Sequence, residues 1–293
     1  MITFAIALKS KEVSKNWDYT CSLLERTLNS IYNQTNKEIA VVIVCHEKPL
    51  LSSSYPDIVY HQVDFAPPEK SYHKMILDRD IKEVLGRKVA KSLNSDYIMA
   101  IDSDDCISNQ ISEFIAQKSL ESSNDADGFF ADRGYMFYEE SGKIVPKSGL
   151  YHCCGSTVAL KTELYDTPDS WEYDDLVEFK NNGRFFSHGD LATYWQSKGK
   201  RLSEFPFRSC IYVRPSFEPS LDATRNSISS SIAKRDIKLL LSPLKRKVSK
   251  FFSSQDVTQD VRDEFGFYII ERNYEREYLM QTQSFVDCNY RSP

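Results

Sequence analysis

The chain has 293 residues, enough for one large α/β domain, or one domain with an appendage, and for a substantial core. A composition of 41% hydrophobic and 27% charged residues with a net charge of −5 argues against a general nucleic-acid binder, so no nucleic-acid partner is expected. Seven cysteines without a CxxC pair, Cys153 and Cys154 adjacent, read as reduced thiols of a cytoplasmic protein, and MITFAIALKSKE is too briefly apolar for a signal peptide.

Residues 3–8 predict a first buried strand, followed by a polar loop that begins at Lys9. Leu23, Leu24, Thr27, Leu28, Ile31 and Tyr32 then share one helical face, and the polar run 33–36 stops the helix. Residues 39–45 form the longest clean apolar run, a strand length far short of a membrane span. Strand, helix, strand of these lengths implies a right-handed parallel unit, whose ligands sit at the carboxyl ends of the strands. Lys9, His46 and Glu47 should therefore share a rim with Asp102. Residues 58–63 predict a third strand, and helical spacing resumes over 73–93, with Gly86 as a break.

The stretch 96–108, DYIMAIDSDDCIS, is the centre of the chain's chemistry. A buried strand over 97–101 ends in Asp102, Asp104 and Asp105. Carboxylates this close repel one another and are tolerated in solvent or around a hard divalent cation. The plainer reading is a solvated turn in which an Asp caps a helix over 107–120.

Three segments in order, TLNSIYNQT at 27–35, EIAVVIVCHE at 38–47 and SLNSDYIMAIDSDD at 92–105, resemble the amino-terminal half of family 2 glycosyltransferases of the GT-A fold. The resemblance covers roughly the first 120 residues and departs at Cys45, His46 and Glu47, where the family carries acidic or Asn residues that read the nucleotide. It implies a Rossmann-like mixed sheet flanked by helices and a metal-dependent, inverting transfer of a sugar from a nucleotide-diphosphate donor. Mn²⁺ or Mg²⁺ would be held by Asp104 with Asp102, and Lys9, Glu47, Arg87, Lys88 and Arg214 would lie on the nucleotide side. Arg87 and Lys88 match the family's Ala-Arg-Asn only out of register, and a solvated helix face fits them equally well.

Beyond residue 120, two β-like runs, 126–138 and 143–146, surround a turn at 139–142, and a segment rich in small residues, 149–160, follows. By resemblance this segment closes over the donor sugar, which makes His152 and Ser156 contacts on the acceptor or donor-sugar side; a hairpin and a core strand account for it as well. His188, Gly189 and Asp190 open a helix ahead of Ser197, Lys198 and Gly199, where the family places its catalytic carboxylate. Asp190 is the expected base, with a helix cap as its alternative, and His188 is placed beside the sugar. A strand is expected within 202–213, and Arg214 falls where relatives carry a late His.

The expected domain is 1–220, a nucleotide-binding half to residue 120 and an acceptor half after it, with a helical extension over 221–293, basic and then acidic. A polar linker over 222–231 leads to a basic amphipathic stretch, 233–252, that can rest on an anionic membrane or on its own domain. Residues 257–285 predict an acidic, aromatic-rich helix suited to packing or to a homo-oligomer. The acceptor class is a glycan or a lipid-linked sugar, in polysaccharide or glycoconjugate synthesis. Two other functions stay open, a metal-dependent nucleotidyltransferase and a non-catalytic sugar-nucleotide or glycan-binding module of the same fold. The former lacks a Gly-rich, basic loop after the first strand; Gly189 and Arg214, both departures from the family, speak for the latter.

Overall fold

The computed structural model describes residues 1–121, 125–184, 188–214 and 254–270, the side chains of 183–190 excepted. Strands β1 (Ile2–Ala7), β2 (Ile39–Cys45), β3 (Ile58–Gln62) and β4 (Tyr97–Asp102) run parallel in the order β3-β2-β1-β4. Strand β2 shows why its sequence is apolar without alternation. Val41, Ile43 and Cys45 pack with Leu24, Leu28 and Ile31 of helix α1 (Trp17–Tyr32), while Val42 and Val44 pack on the opposite face with Ile81, Val84 and Leu85 of helix α2 (Tyr72–Ser92). A strand covered on both faces has no polar side to present. Asn16 caps α1 by accepting the Tyr19 amide, and Ser71 caps α2 by accepting that of Lys74.

The expected break at Gly86 does not occur, and α2 is continuous through it. A Cβ at Gly86 would lie 3.2 Å from the Cβ of Ala5, so the missing side chain lets the helix sit close on β1. After β4, Cys106–Ile107 form a short strand, β5, and helix α3 is Ile111–Leu120, so the helix expected from residue 107 starts four residues later without an Asp cap. Pairing of β5 with a later strand consumes the residues that local propensity assigns to the helix.

The run expected over 126–138 divides between two sheets. β6 (Gly128–Phe130) joins the first through antiparallel β9 (Val158–Lys161), and β10 (Leu202–Glu204) completes the order β10-β6-β9-β4-β1-β2-β3. β7 (Gly134–Tyr138) enters a second sheet with β8 (Lys143–Lys147), β11 (Cys210–Arg214) and β5. Helices α4 (Tyr173–Phe179) and α5 (His188–Ser197) lie on the α2 face of the first sheet, where Leu176 joins the α2 cluster and Leu191 packs with Ile98, Val158 and Leu160. The result is a mixed α/β fold, a mixed central sheet flanked by helices.

Residues 254–270 add strand β12 (Gln255–Asp256) beside β8 and helix α6 (Gln259–Phe265). Val257, Val261, Phe265 and Phe267 pack with Phe137, Ile144, Ile211 and Val213, so this segment completes the second core. Of the helix expected over 257–285, the described part is helical to Phe265 and stops at Gly266, which takes the left-handed conformation at φ 53°; residues 271–285 lie outside the described residues. The linker at 222–231 and the basic stretch 233–252 lie outside the described residues. Among those described, no helix is long and apolar enough to cross a membrane.

Candidate functional site

Strand order places a topological switch between β1 and β4, because the chain leaves β1 in one direction for β2 and β3 and returns on its other side as β4. The register pairs Ala7 with both Val44 and Asp102, so Lys9, His46, Glu47 and the acidic turn share the carboxyl rim, as expected. At that rim the three carboxylates part company. Asp102 and Asp104 are half-buried, whereas Asp105 is fully buried.

Asp105 turns into the protein because its partners come from two distant segments. Its Oδ1 accepts the Val213 amide of β11 at 3.0 Å, and its Oδ2 accepts the Ser156 hydroxyl at 2.8 Å and the Cys154 thiol at 3.1 Å. Burial, followed by the charges of Asp104 and Asp102, holds its carboxyl well above the usual carboxylate range. Ser156 also accepts the Asp102 amide at 2.8 Å, so one hydroxyl fixes both ends of the turn. Ser156 is therefore buried and occupied inside the protein, and the donor-sugar contact expected of it is corrected to a brace of the acidic turn.

Helix α1 and the residues just after it supply the second support. Ser30 accepts the Ile107 amide at 3.2 Å, the Gln34 side chain spans the Ser108 carbonyl and the Ser112 amide at 2.8 and 2.9 Å, and Thr35 donates to the Asn109 carbonyl at 3.1 Å. The TLNSIYNQT segment thus has a physical task, which is to hold the chain that leaves the acidic turn. Gly155 supplies the third. A Cβ there would stand 2.8 Å from Asp102 Cγ, so only glycine leaves room for this carboxylate, which lines a cavity of about 20 Å³ with Arg79, Glu83 and Gly155.

The cations are arranged differently from the expectation. Arg87 is buried, paired with Glu83 and stacked 4.7 Å over the Tyr165 ring, and Lys88 donates to the Asp169 and Ser170 carbonyls while lying 4.0 Å over Trp171. Arg87 is thus committed inside the protein, and Lys88, half-buried, is turned toward the loop ahead of α4. Helix α2 runs away from the rim, so eight residues beyond Arg79 place Arg87 about 12 Å further from it. Arg79 is the cation that sequence reading missed: it pairs with Asp80 at 2.7 Å, and Asp102 adds to the charges that hold its guanidinium above the usual range against burial. Also missed was Asp78, which accepts His46 at 2.9 Å and the buried Lys82 ammonium at 2.8 Å, while Lys82 reaches the Leu8 carbonyl at 2.8 Å. A helical phase count from the rim would have found both.

Glu47 accepts the Lys11 amide and the Ser10 hydroxyl, which fastens the loop after β1, and Lys9 is half-buried at its start. Arg214 ends β11, one residue after the amide that holds Asp105, with its guanidinium 5.7 Å from the Tyr212 ring. His152 is exposed and stacks on Tyr151 at 3.9 Å. His188 and Asp190 lie in the first turn of α5, and their side chains are outside the described residues.

A divalent cation fits this donor set. With Asp105 committed inward, the carboxylates for a hard ion are Asp102 and Asp104, half-buried at a rim where water and phosphate oxygens can complete an all-oxygen shell.

No protein-family model matches the chain, and no curated relative does. Among solved structures it is similar to S. aureus TarS residues 1–349 in complex with UDP-GlcNAc, at 14% identity and a TM-score of 0.43 over 74% of this chain and 59% of that one. It is similar to the same protein in complex with UDP at 12% identity and a TM-score of 0.44, over 73% and 60% of the two chains. The chain thus spans about 60% of the length of these structures. So distant a likeness leaves the function to be argued from the chain's own residues.

Proposed function

We propose that the chain is a glycosyltransferase that moves a sugar from a nucleotide-diphosphate donor to an acceptor hydroxyl. The observation that carries this reading is the acidic turn at the switch point, with two half-buried carboxylates held in place by the inward anchoring of a third. Ligands of open α/β sheets lie in this crevice, outside the carboxyl ends of the strands.

Asp102 and Asp104 would hold Mn²⁺ or Mg²⁺, which when bound neutralises charge on the departing diphosphate. Arg79 beside Asp102 and Arg214 beside the Asp105 anchor are cationic donors for phosphate oxygens, and Lys9 and Glu47 stand on the same rim for the nucleoside side. An acceptor hydroxyl is too weak an acid to ionise at neutral pH, so a carboxylate must take its proton as the new bond forms. Asp190, on the first turn of α5, is assigned that role, and attack opposite the leaving group inverts the anomeric carbon. The acceptor is assigned as a glycan or lipid-linked sugar.

A thermal-shift panel of UDP, GDP, CDP, ADP and dTDP, each with and without Mn²⁺, tests the reading on wild type and on Asp104→Ala. Stabilisation by one diphosphate that requires both Mn²⁺ and Asp104 is expected. Equal stabilisation of the variant, or none of the wild type at millimolar nucleotide, would reject the donor site.

A further inference from the structure

Four of the described cysteines gather around one carboxylate. Cys106, Cys154 and Cys210 are fully buried, Cys153 is half-buried beside them, and all four are free thiols. Two of them meet Asp105 directly: Cys154 Sγ lies 3.1 Å from Asp105 Oδ2 and 3.6 Å from Cys210 Sγ, and these three ligand atoms fall within 4.8 Å of one another. The elements that bring them together are unrelated in sequence, being the turn after β4, the segment before β9 and the start of β11.

We propose that Cys154, Cys210 and Asp105 form a second metal site, selective for a borderline-soft d¹⁰ dication such as Zn²⁺ or Cd²⁺ and separate from the hard-ion carboxylates Asp102 and Asp104. The dimensions favour it. Zinc bound at about 2.3 Å from sulfur and about 2.1 Å from oxygen in a tetrahedron spaces two sulfurs by about 3.8 Å and a sulfur and an oxygen by about 3.6 Å. The Cys154–Cys210 and Cys154–Asp105 separations of 3.6 and 3.1 Å need changes of about half an ångström or less, and Asp105 and Cys210 lie within 4.8 Å of each other. Ser156 Oγ, 2.8 Å from the same carboxylate oxygen, is a further oxygen donor beside the site. Ligand chemistry then sorts the ions, since thiolates select zinc-like metals and carboxylates with water select magnesium and manganese. On binding, the two S–H bonds break, two sulfur–metal bonds and one bond to an Asp105 oxygen form, and both thiol protons, with any proton that the buried carboxyl holds, pass to solvent. An ion there shares the carboxylate that Ser156 also holds, and Ser156 is bonded to the Asp102 amide, so the two sites touch through one hydroxyl.

The test uses the full chain, purified under reductant, stripped with a chelator and titrated with Co²⁺ as a spectroscopic stand-in for Zn²⁺. One equivalent with a thiolate-to-cobalt charge-transfer band is expected, displaced by Zn²⁺. The band should be lost, or its affinity reduced at least tenfold, in Cys154→Ser and in Cys210→Ser, and kept in Cys21→Ser and in Asp104→Asn. If the serine variants fail to fold, zinc protection of Cys154 and Cys210 from alkylation is read in the wild type by peptide mass. Absence of a thiolate band, or of zinc protection, would overturn the site. So would a band that survives both serine variants, binding only at millimolar metal, or a Cys154–Cys210 disulfide in the freshly isolated protein. None of these outcomes depends on the glycosyltransferase reading, which the nucleotide panel tests separately.

Discussion

Replacing Gly155 with alanine separates the position of Asp102 from its presence. Gly155 does not adopt a left-handed φ, so alanine adds no backbone strain, and its Cβ meets one neighbour, the Asp102 carboxyl group, with Cγ at 2.8 Å and Oδ1 at 3.0 Å. A clash with packed backbone or core costs about 1–3 kcal/mol. Here the obstacle is the end of a half-buried side chain that can rotate away, so a stability loss of less than about 1 kcal/mol is expected, or about 2–4 °C in melting temperature for a chain of this size. The displaced carboxylate is no longer where the proposed cation would need it. A nucleotide present at 100 times its Kd stabilises the wild type by about 2.7 kcal/mol, and a tenfold weaker site at the same concentration retains about 1.4 kcal/mol. Thermal shifts with nucleotide and Mn²⁺ should therefore fall by about half or more in Gly155→Ala, while the melting temperature without ligand falls by less than about 2–4 °C. A variant that keeps the full Mn²⁺-dependent shift would show that Asp102 does not act from this position.

Asp190→Asn should leave Mn²⁺-dependent nucleotide binding intact and lower transfer by about 10²–10⁴-fold in a steady-state assay, and lost nucleotide affinity instead would make Asp190 a structural cap. Arg26 and Glu139 form a fully buried pair at 2.7 Å beneath Phe267, so Arg26→Met should cost about 3–5 kcal/mol in urea unfolding by leaving Glu139 uncompensated; a neutral result would mean that water reaches this pair. Burial alone would raise the Glu25 carboxyl, but the Ser52 hydroxyl at 2.5 Å and the Ser53 amide at 2.6 Å hold it below the usual range. Its contribution is therefore present at neutral pH and lost as pH falls through the lowered folded-state value. Ser52→Ala should be about 1–3 kcal/mol less stable at pH 7, with the gap narrowing toward pH 3, and a constant gap would exclude the linkage.

Much of the amino-terminal half was legible because its signals are local. β1, α1, β2, α2 and β4 stand within about one turn of their expected places, since unbroken apolar runs and a 3.6-residue period are set by each segment's own need to cover both faces of a parallel sheet. The carboxyl rim followed from the same logic. The second half was less legible, because pairing partners decide it: β5 forms because residues 210–211 lie beside it, and β6 and β7 part because their neighbours belong to different sheets.

The sequence by itself determined that a buried strand delivers carboxylates to the rim of a parallel sheet. Only the tertiary structure decided which carboxylate does what. Asp102, Asp104 and Asp105 are chemically identical within four positions, and Asp105 is turned inward by Ser156, Cys154 and Val213, about 50 to 110 residues away. In the same way Arg79 and Arg87 are equal in composition, but the rise of helix α2 puts the first beside Asp102 and carries the second away to Tyr165. A side chain's type is a local property of the chain; its burial and its partners are set by segments that meet only when the sheets close.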